Sequence, residues 1–182
     1  MLFESLPTLD HQVIRLRPIA DADIPRWAGY LNDPTVYEHT SWNHPTAHDL
    51  SKYLGNERSS EPDSQLRLAI ALRDSNEFVG SAGFHTVSSS NRTLELTYDL
   101  DPRHWGKGFA AAAAACLVDW AHHQAQFIRV QATILESNAR SRRTIESLGF
   151  RCEGLLRSYR IVRGHPGNFF MYAHVFERAV NS

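Results

Sequence analysis

Lysine is almost missing from this chain: of 182 residues only Lys52 and Lys107 carry it, and arginine supplies the rest of the positive charge. Net formal charge is −1 at pH 7, which excludes the strong basic excess of a general nucleic-acid or membrane-surface binder. Cysteine is nearly as scarce. Cys116 and Cys152 are too few for a disulfide framework or a cysteine-rich zinc site, and read as small apolar side chains of a reduced, cytoplasmic protein. No apolar run approaches the length of a membrane span. Residues 1–10 include Glu4 and Asp10 and lack the basic and apolar regions of a signal peptide. What remains is an ordinary soluble composition, 42% apolar and 21% charged. The expected organisation is a single domain over 1–182, large enough to bury roughly 70% of its unfolded surface.

Along the chain, Gln12 to Arg17 alternates as a first strand and ends at Pro18. A helix to Leu31 follows, halted by Asn32-Asp33-Pro34. Val36 to Pro45 is an aromatic- and histidine-rich loop, Thr46 to Arg58 a second helix, and Ser59 to Asp63 a surface loop. Strands at Leu66–Leu72, Phe78–Val87 and Thr93–Leu100 form a meander. A long helix spans Gly108–Gln124, a strand Ile128–Leu135, and a short helix Asn138–Leu148 that stops at Gly149. Strands near Phe150–Arg160 and Phe169–Phe176 flank a turn at Arg163–Gly167. The fold class is α/β (α+β): a mixed, mainly antiparallel sheet of about seven strands with about four helices.

The stretch from Asp101 to Ala110, Asp-Pro-Arg-His-Trp-Gly-Lys-Gly-Phe-Ala, carries the chemistry. It joins a strand to a helix, and Gly106 and Gly108 allow the backbone a sharp turn. The first amides of the helix lack intrahelical acceptors, so they and the helix dipole suit phosphate oxygens, with Lys107 at the rim. The spacing fits neither a Walker P-loop nor a dinucleotide fingerprint. Ala110 to Ala115 then give a helix slim enough to lie close to a sheet.

The segment from Tyr98 to Ala110 resembles the acyl-CoA-binding motif of the GNAT superfamily of N-acetyltransferases, and its Trp-Gly-Lys-Gly form is similar to the branch of ribosomal-protein-alanine acetyltransferases (RimJ/RimL-like). Asn138 to Phe150 resembles that branch's Asn-x-x-Ser…Leu-Gly-Phe helix, and Leu16 to Asp23 its opening. The resemblance implies a sheet splayed between two central parallel strands ending at Leu100 and Leu135. It implies a pantetheine arm paired with backbone near Tyr98 and Leu100, and a pyrophosphate on Arg103, His104, Trp105, Gly106, Lys107, Gly108, Phe109 and Ala110. Asn138 would hydrogen-bond the arm.

The implied reaction moves an acetyl group from acetyl-CoA directly to a primary amine: a protein or peptide N-terminus, or a small molecule. Ser141 would serve the leaving thiolate, because the family's frequent tyrosine is Ile145 here. Glu95, mid-strand with Thr97 and Asp99 on its face unless a bulge near Tyr98 shifts the parity, would act as base through a water. Tyr37, His39 and Trp42 would wall the acceptor, with no metal among the histidines. His85 reads as structural. The basic stretch Arg157–Arg163 reads as a solvated strand edge, and Asn168 stands where the branch often has Asp. A succinyl donor, a non-catalytic acyl-CoA sensor, and a monomer or homodimer all stay open.

Overall fold

The computed structural model describes residues 5–59 and 64–176; the expected loop at Ser59–Asp63 falls mostly outside them. Seven strands form one sheet: β1 (Ile14–Pro18), β2 (Leu66–Leu72), β3 (Phe78–Ser88), β4 (Thr93–Leu100), β5 (Arg129–Leu135), β6 (Arg151–Val162) and β7 (His165–Val175). Their order is β1-β2-β3-β4-β5-β7-β6. Five α-helices accompany them: α1 (Ile24–Leu31), α2 (Pro34–Tyr37), α3 (Ala47–Ser51), α4 (Phe109–His123) and α5 (Ala139–Ser147).

The side-chain alternation of the strands supplies two cores. Leu94, Leu96 and Leu100 of β4 and Val130 and Ile134 of β5 pack with Ala113, Ala114 and Leu117 of α4 and Ile145 of α5. Ala113 and Ala114 are fully buried, so the alanine run does bring α4 close to the sheet. On the opposite face Ile24, Trp27, Tyr30 and Leu31 of α1 pack with Val36, Leu50, Ala69 and Phe78.

Only β4 and β5 run parallel, and their pairing is short: Thr93 with Arg129, Leu94 with Val130, Glu95 with Gln131. β4 continues on β3 as far as Leu100 with Gly80, while β5 pairs with β7 as far as Leu135 with Phe169. Beyond Glu95 the two central strands therefore part. The amide of Asp101 donates to the Val79 carbonyl of β3. Lateral backbone groups alternate along a strand, so those of Tyr98 and Leu100 face the open side.

Local chemistry explains the departures from the expected elements. Pro34 starts a helix instead of only ending one: the Asp33 carboxylate caps α2 by accepting from the Thr35 amide at 2.9 Å. This adds a fifth helix, which starts at the expected stop and runs into the expected loop. Thr46 and Asp49 form a reciprocal capping box for α3, but the helix ends at Ser51 and Gly55 takes a left-handed turn (φ 71°). At the last hairpin Arg163 and Gly164 are both left-handed, a tight turn that lets both strands run longer than expected. Pro166 fits in β7 because β5 pairing starts only at Phe169. The irregularity considered near Tyr98 lies instead in β3, between His85 and Ser88. Register is unbroken from Leu100 to Glu95, so Glu95, Thr97 and Asp99 share one face.

Candidate functional site

The parting of β4 and β5 opens a groove of about 540 Å³. Its walls include Tyr98, Leu100, His104, Trp105, Gly106, Gly108, Phe109 and Ala110, and from the α5 side Asn138, Arg140, Ser141 and Arg143. At one end the loop into α4 is shaped by Gly106 and Gly108, each at φ 76°, a backbone region that side-chain-bearing residues rarely adopt. The first α4 amide to find a helical acceptor is Ala112, on Gly108. The amides of Phe109, Ala110 and Ala111 therefore point outward as orphan donors at the positive end of a 15-residue helix.

Two expected contributors are placed differently. The Arg103 amide donates to Asp101 Oδ1 at 3.0 Å and its guanidinium binds the same carboxylate, so Arg103 braces the loop and is not among the groove-lining residues. Burial pushes the Asp101 carboxyl up, but the hydrogen bonds and charge of Arg103, with Arg26, outweigh it and hold it at about 2. Lys107 is likewise not among the lining residues; its Nζ stands 3.5 Å from His104 Nδ1. The groove's own cations are Arg140 and Arg143, which the sequence reading passed over although their i, i+3 spacing puts them on one helix face. The Arg140 guanidinium lies 3.5 Å from the Trp105 ring centroid, and the Trp105 indole donates to the Leu100 carbonyl at 3.0 Å.

At the middle of the groove Ser141 Oγ donates to the Tyr98 hydroxyl at 2.9 Å, and Tyr98 donates to the Ser141 carbonyl at 3.3 Å. Burial pushes the Tyr98 phenol up to about 12, against the opposing hydrogen bonds of Ser141 and Thr144, so it stays protonated at neutral pH. Asn138 caps α5 by accepting from the Ser141 amide at 3.0 Å, and its Nδ2 donates to the His39 carbonyl at 2.9 Å. Asn138 thus ties the α5 turn to the loop after α2.

A narrow cavity continues from Tyr98 and Ser141 past Thr133 to His39, Trp42, His85 and Arg160. A wider chamber shares Trp42, His85, Thr97 and Arg160 with it and is lined also by Tyr53, Gln65 and Arg67. Of the residues expected to wall the acceptor, His39 and Trp42 line these cavities. Tyr37 does not: it packs edge-on against His44 and beside the Arg163 guanidinium, holding the loop rather than facing a cavity. Arg163 clamps that loop from the β6–β7 turn, donating to the carbonyls of Tyr37 at 2.6 Å and Thr40 at 3.1 Å. Asn168 supports β6, accepting from the Ser158 amide at 3.0 Å and donating to Glu136 at 3.1 Å.

Glu95 is 1% exposed. The Thr133 hydroxyl donates to it, and Arg160 binds it at 3.2 Å. It lies behind the cavity wall rather than in it. Four residues on, Asp99 is sealed by Arg67, Trp27, Tyr30 and Ser81. Among the described residues no cluster of three or more histidine, cysteine or acidic groups is set to hold a metal, and no helix is long and apolar enough to cross a membrane.

Comparison with known proteins gives a consistent result. A family model for the acetyltransferase (GNAT) domain matches residues 14–151. An uncharacterized N-acetyltransferase, p20, of Bacillus licheniformis is 30% identical over 164 residues, covering 88% of this chain and 90% of its own. Another, YoaA of Bacillus subtilis, is 32% identical over 113 residues, 62% of this chain and 64% of its own. The structure of Mycobacterium smegmatis RimJ in complex with CoA-disulfide superposes with a TM-score of 0.79 at 25% identity, covering 94% of this chain and 88% of that one.

Proposed function

This chain belongs to the GNAT acetyltransferase family, and from that premise we propose that it transfers an acetyl group from acetyl-CoA directly to a primary amine, the α-amino group of a protein or peptide or a small-molecule amine. The observation that carries this reading is the groove itself. Orphan helix amides and two arginines stand at one end, a stretch of β4 with no neighbouring strand on that side, its Leu100 carbonyl held by the Trp105 indole, in the middle, and a hydroxyl pair where the edge meets the acceptor cavity.

Acetyl-CoA would lay its pyrophosphate on the amides from Gly106 to Ala111, with Arg140 and Arg143 neutralising its phosphates. Its pantetheine arm would pair with the free edge of β4 at Tyr98 and Leu100 as an added strand. A backbone N–H of that edge polarises the thioester carbonyl. The amine enters between Trp42 and His85 and attacks the carbonyl carbon. The C–N bond forms, the C–S bond breaks, and the thiolate takes a proton through Ser141. The second proton of the attacking nitrogen restores the serine's, and Tyr98, protonated throughout, accepts the hydrogen bond that orients the Ser141 hydroxyl. On the amine side, removing the ammonium proton creates the nucleophile, and Glu95 is the buried carboxylate behind that wall of the cavity.

Calorimetric titration with acetyl-CoA, desulfo-CoA and succinyl-CoA tests the donor, and amine-dependent thiol release tests the transfer. The expected result is one-to-one binding of acetyl-CoA and thiol release that requires both acetyl-CoA and an amine. Preference for succinyl-CoA would change the donor. Binding without transfer to any amine would make the protein an acyl-CoA sensor, and no binding of any CoA species would overturn the reading.

A further inference from the structure

Glu95 cannot reach an acceptor directly, because Thr133, Arg160 and the strand itself enclose it. Three groups that contact it line the cavity, Thr133, Arg160 and His85, and of these His85 is the one able to accept a proton at neutral pH. Its ring lies on β3 directly opposite Glu95 in the sheet register, with Nε2 3.6 Å from Glu95 Oε1. Its side chain is 28% exposed. It lines both the narrow cavity it shares with Ser141 and Tyr98 and the wider chamber beyond.

The backbone is strained at the next residue. Thr86 has φ 51°, a left-handed conformation unfavourable for a β-branched side chain, and the β3 irregularity begins there. Bulges of this kind re-aim side chains beside active sites. Here the result is a hydrogen bond of 2.8 Å between Thr86 Oγ1 and His85 Nδ1. In the tautomer whose Nδ1–H donates to that hydroxyl, the one this role requires, the Nε2 lone pair is left on the side of the cavity and the carboxylate.

We infer that His85 is the group that takes the proton from the acceptor's ammonium, and that Glu95 is a positioning residue acting through it; this rests on the acetyl-transfer reading of the same site. The ammonium N–H bond breaks and its proton moves to Nε2, where the imidazolium is stabilised by Glu95. The free amine then attacks the thioester. The second nitrogen proton goes to the thiolate, and His85 returns its own proton to water. The groups facing the ring are Glu95 from β4, Arg160 from β6 and Arg67 from β2. Burial pulls the His85 imidazolium down, Arg160 and Arg67 add to this, and Glu95 opposes them, so the ring is neutral and able to accept at neutral pH.

The test compares wild type with His85→Gln and Glu95→Gln, using acetyl-CoA, an alanine-initiated peptide, and primary amines of falling basicity from ethylamine to trifluoroethylamine. Wild-type kcat/KM should rise with pH through an ionisation below the ordinary histidine value, and His85→Gln should abolish that limb. At pH 7 His85→Gln should lose about a hundredfold, within the range of general-base effects, on an amine that must be deprotonated. It should lose only a few-fold on trifluoroethylamine, which is already neutral. Acetyl-CoA binding should be unchanged. Glu95→Gln should move the limb to lower pH without removing it. Equal losses across the amine series, or an unchanged limb in His85→Gln, would overturn the role of His85 while leaving acetyl transfer intact. Absence of amine-dependent thiol release by the wild type would instead overturn the transfer reading, and the role of His85 with it.

Discussion

Glu95 and Asp99 are both buried carboxylates on the same face of β4, and each binds an arginine. Their partners differ. Asp99 is surrounded by Trp27, Tyr30, Ser81 and Arg67, all themselves buried. Tyr30's own burial, and then the negative charge of Asp99, push the Tyr30 phenol well up, so that hydroxyl remains a donor. Glu95 shares its charge with Arg160 and His85, both of which reach the cavities. Burial and an ion pair therefore do not mark a functional carboxylate. What separates the two in the proposed mechanism is His85, a partner of Glu95 whose side chain is 28% exposed, whereas Arg67 borders the chamber but is itself buried.

The first way to break this comparison is to remove each charge. Asp99→Ala leaves Arg67 buried without its counter-ion, and loss of one member of a buried pair costs about 3–5 kcal/mol. Chemical denaturation should show that loss, and a midpoint close to wild type would mean that Arg67 finds another partner. Glu95→Gln keeps the shape and the acceptor atom for Thr133 and Arg160. Its stability should stay within about 1 kcal/mol of wild type, as for most single changes that open no cavity, while kcat/KM at pH 7 falls at least about tenfold, a partial share of a general-base effect. A destabilisation as large as that of Asp99→Ala would place Glu95 in the same structural class.

The two halves of the proposed site, for donor and for acceptor, were not equally readable from the residues. The cofactor side depends on backbone: Gly106 and Gly108 at left-handed φ, the alanine run and the Asn138–Ser141 cap are local features whose spacing survives in one dimension. Arg140 and Arg143 were readable in the same way and were missed, while Arg103 was misread because its carboxylate partner, Asp101, is only two positions away. The acceptor side depends on register and on long reach. The opposition of His85 to Glu95 requires the β3–β4 pairing, and Arg163 returns across 126 positions to the Tyr37 carbonyl. The seven-strand sheet was legible from alternation and turn residues. The one-turn helix α2, the short α3 and the long final hairpin were not, because a few caps and left-handed residues decide them.

Arg163 sharpens the comparison from the acceptor side, as the counterpart of Arg67. It holds a loop by hydrogen bonds to carbonyls instead of neutralising a buried charge. Arg163→Ala should loosen Trp42 and His39 without affecting acetyl-CoA binding. The expected effect is a rise of about fivefold to tenfold in the acceptor KM, equivalent to about 1.0–1.4 kcal/mol, with little change in kcat. A KM change for acetyl-CoA alone would show that the loop serves the donor instead.

Asp101 gives the smallest and most graded test, because it continues the acidic face of β4 beyond Asp99 but is bound by Arg103, whose side chain is 68% exposed, and by Arg26. Its carboxyl is held at about 2 in the fold, below the ordinary 3.8. A lowered folded value means that the ionised group favours the folded state. That contribution is nearly complete above about pH 4 and is lost as pH falls through about 2, below which Asp101 is protonated whether folded or unfolded. Asp101→Asn should therefore lower Tm at pH 7, and the difference from wild type should shrink steadily between pH 4 and pH 2. Exposed ion pairs contribute little, so the shift should be far smaller than that of Asp99→Ala. A difference that persists unchanged to pH 2 would assign the role of Asp101 to its shape and its cap on the Arg103 amide rather than to its charge.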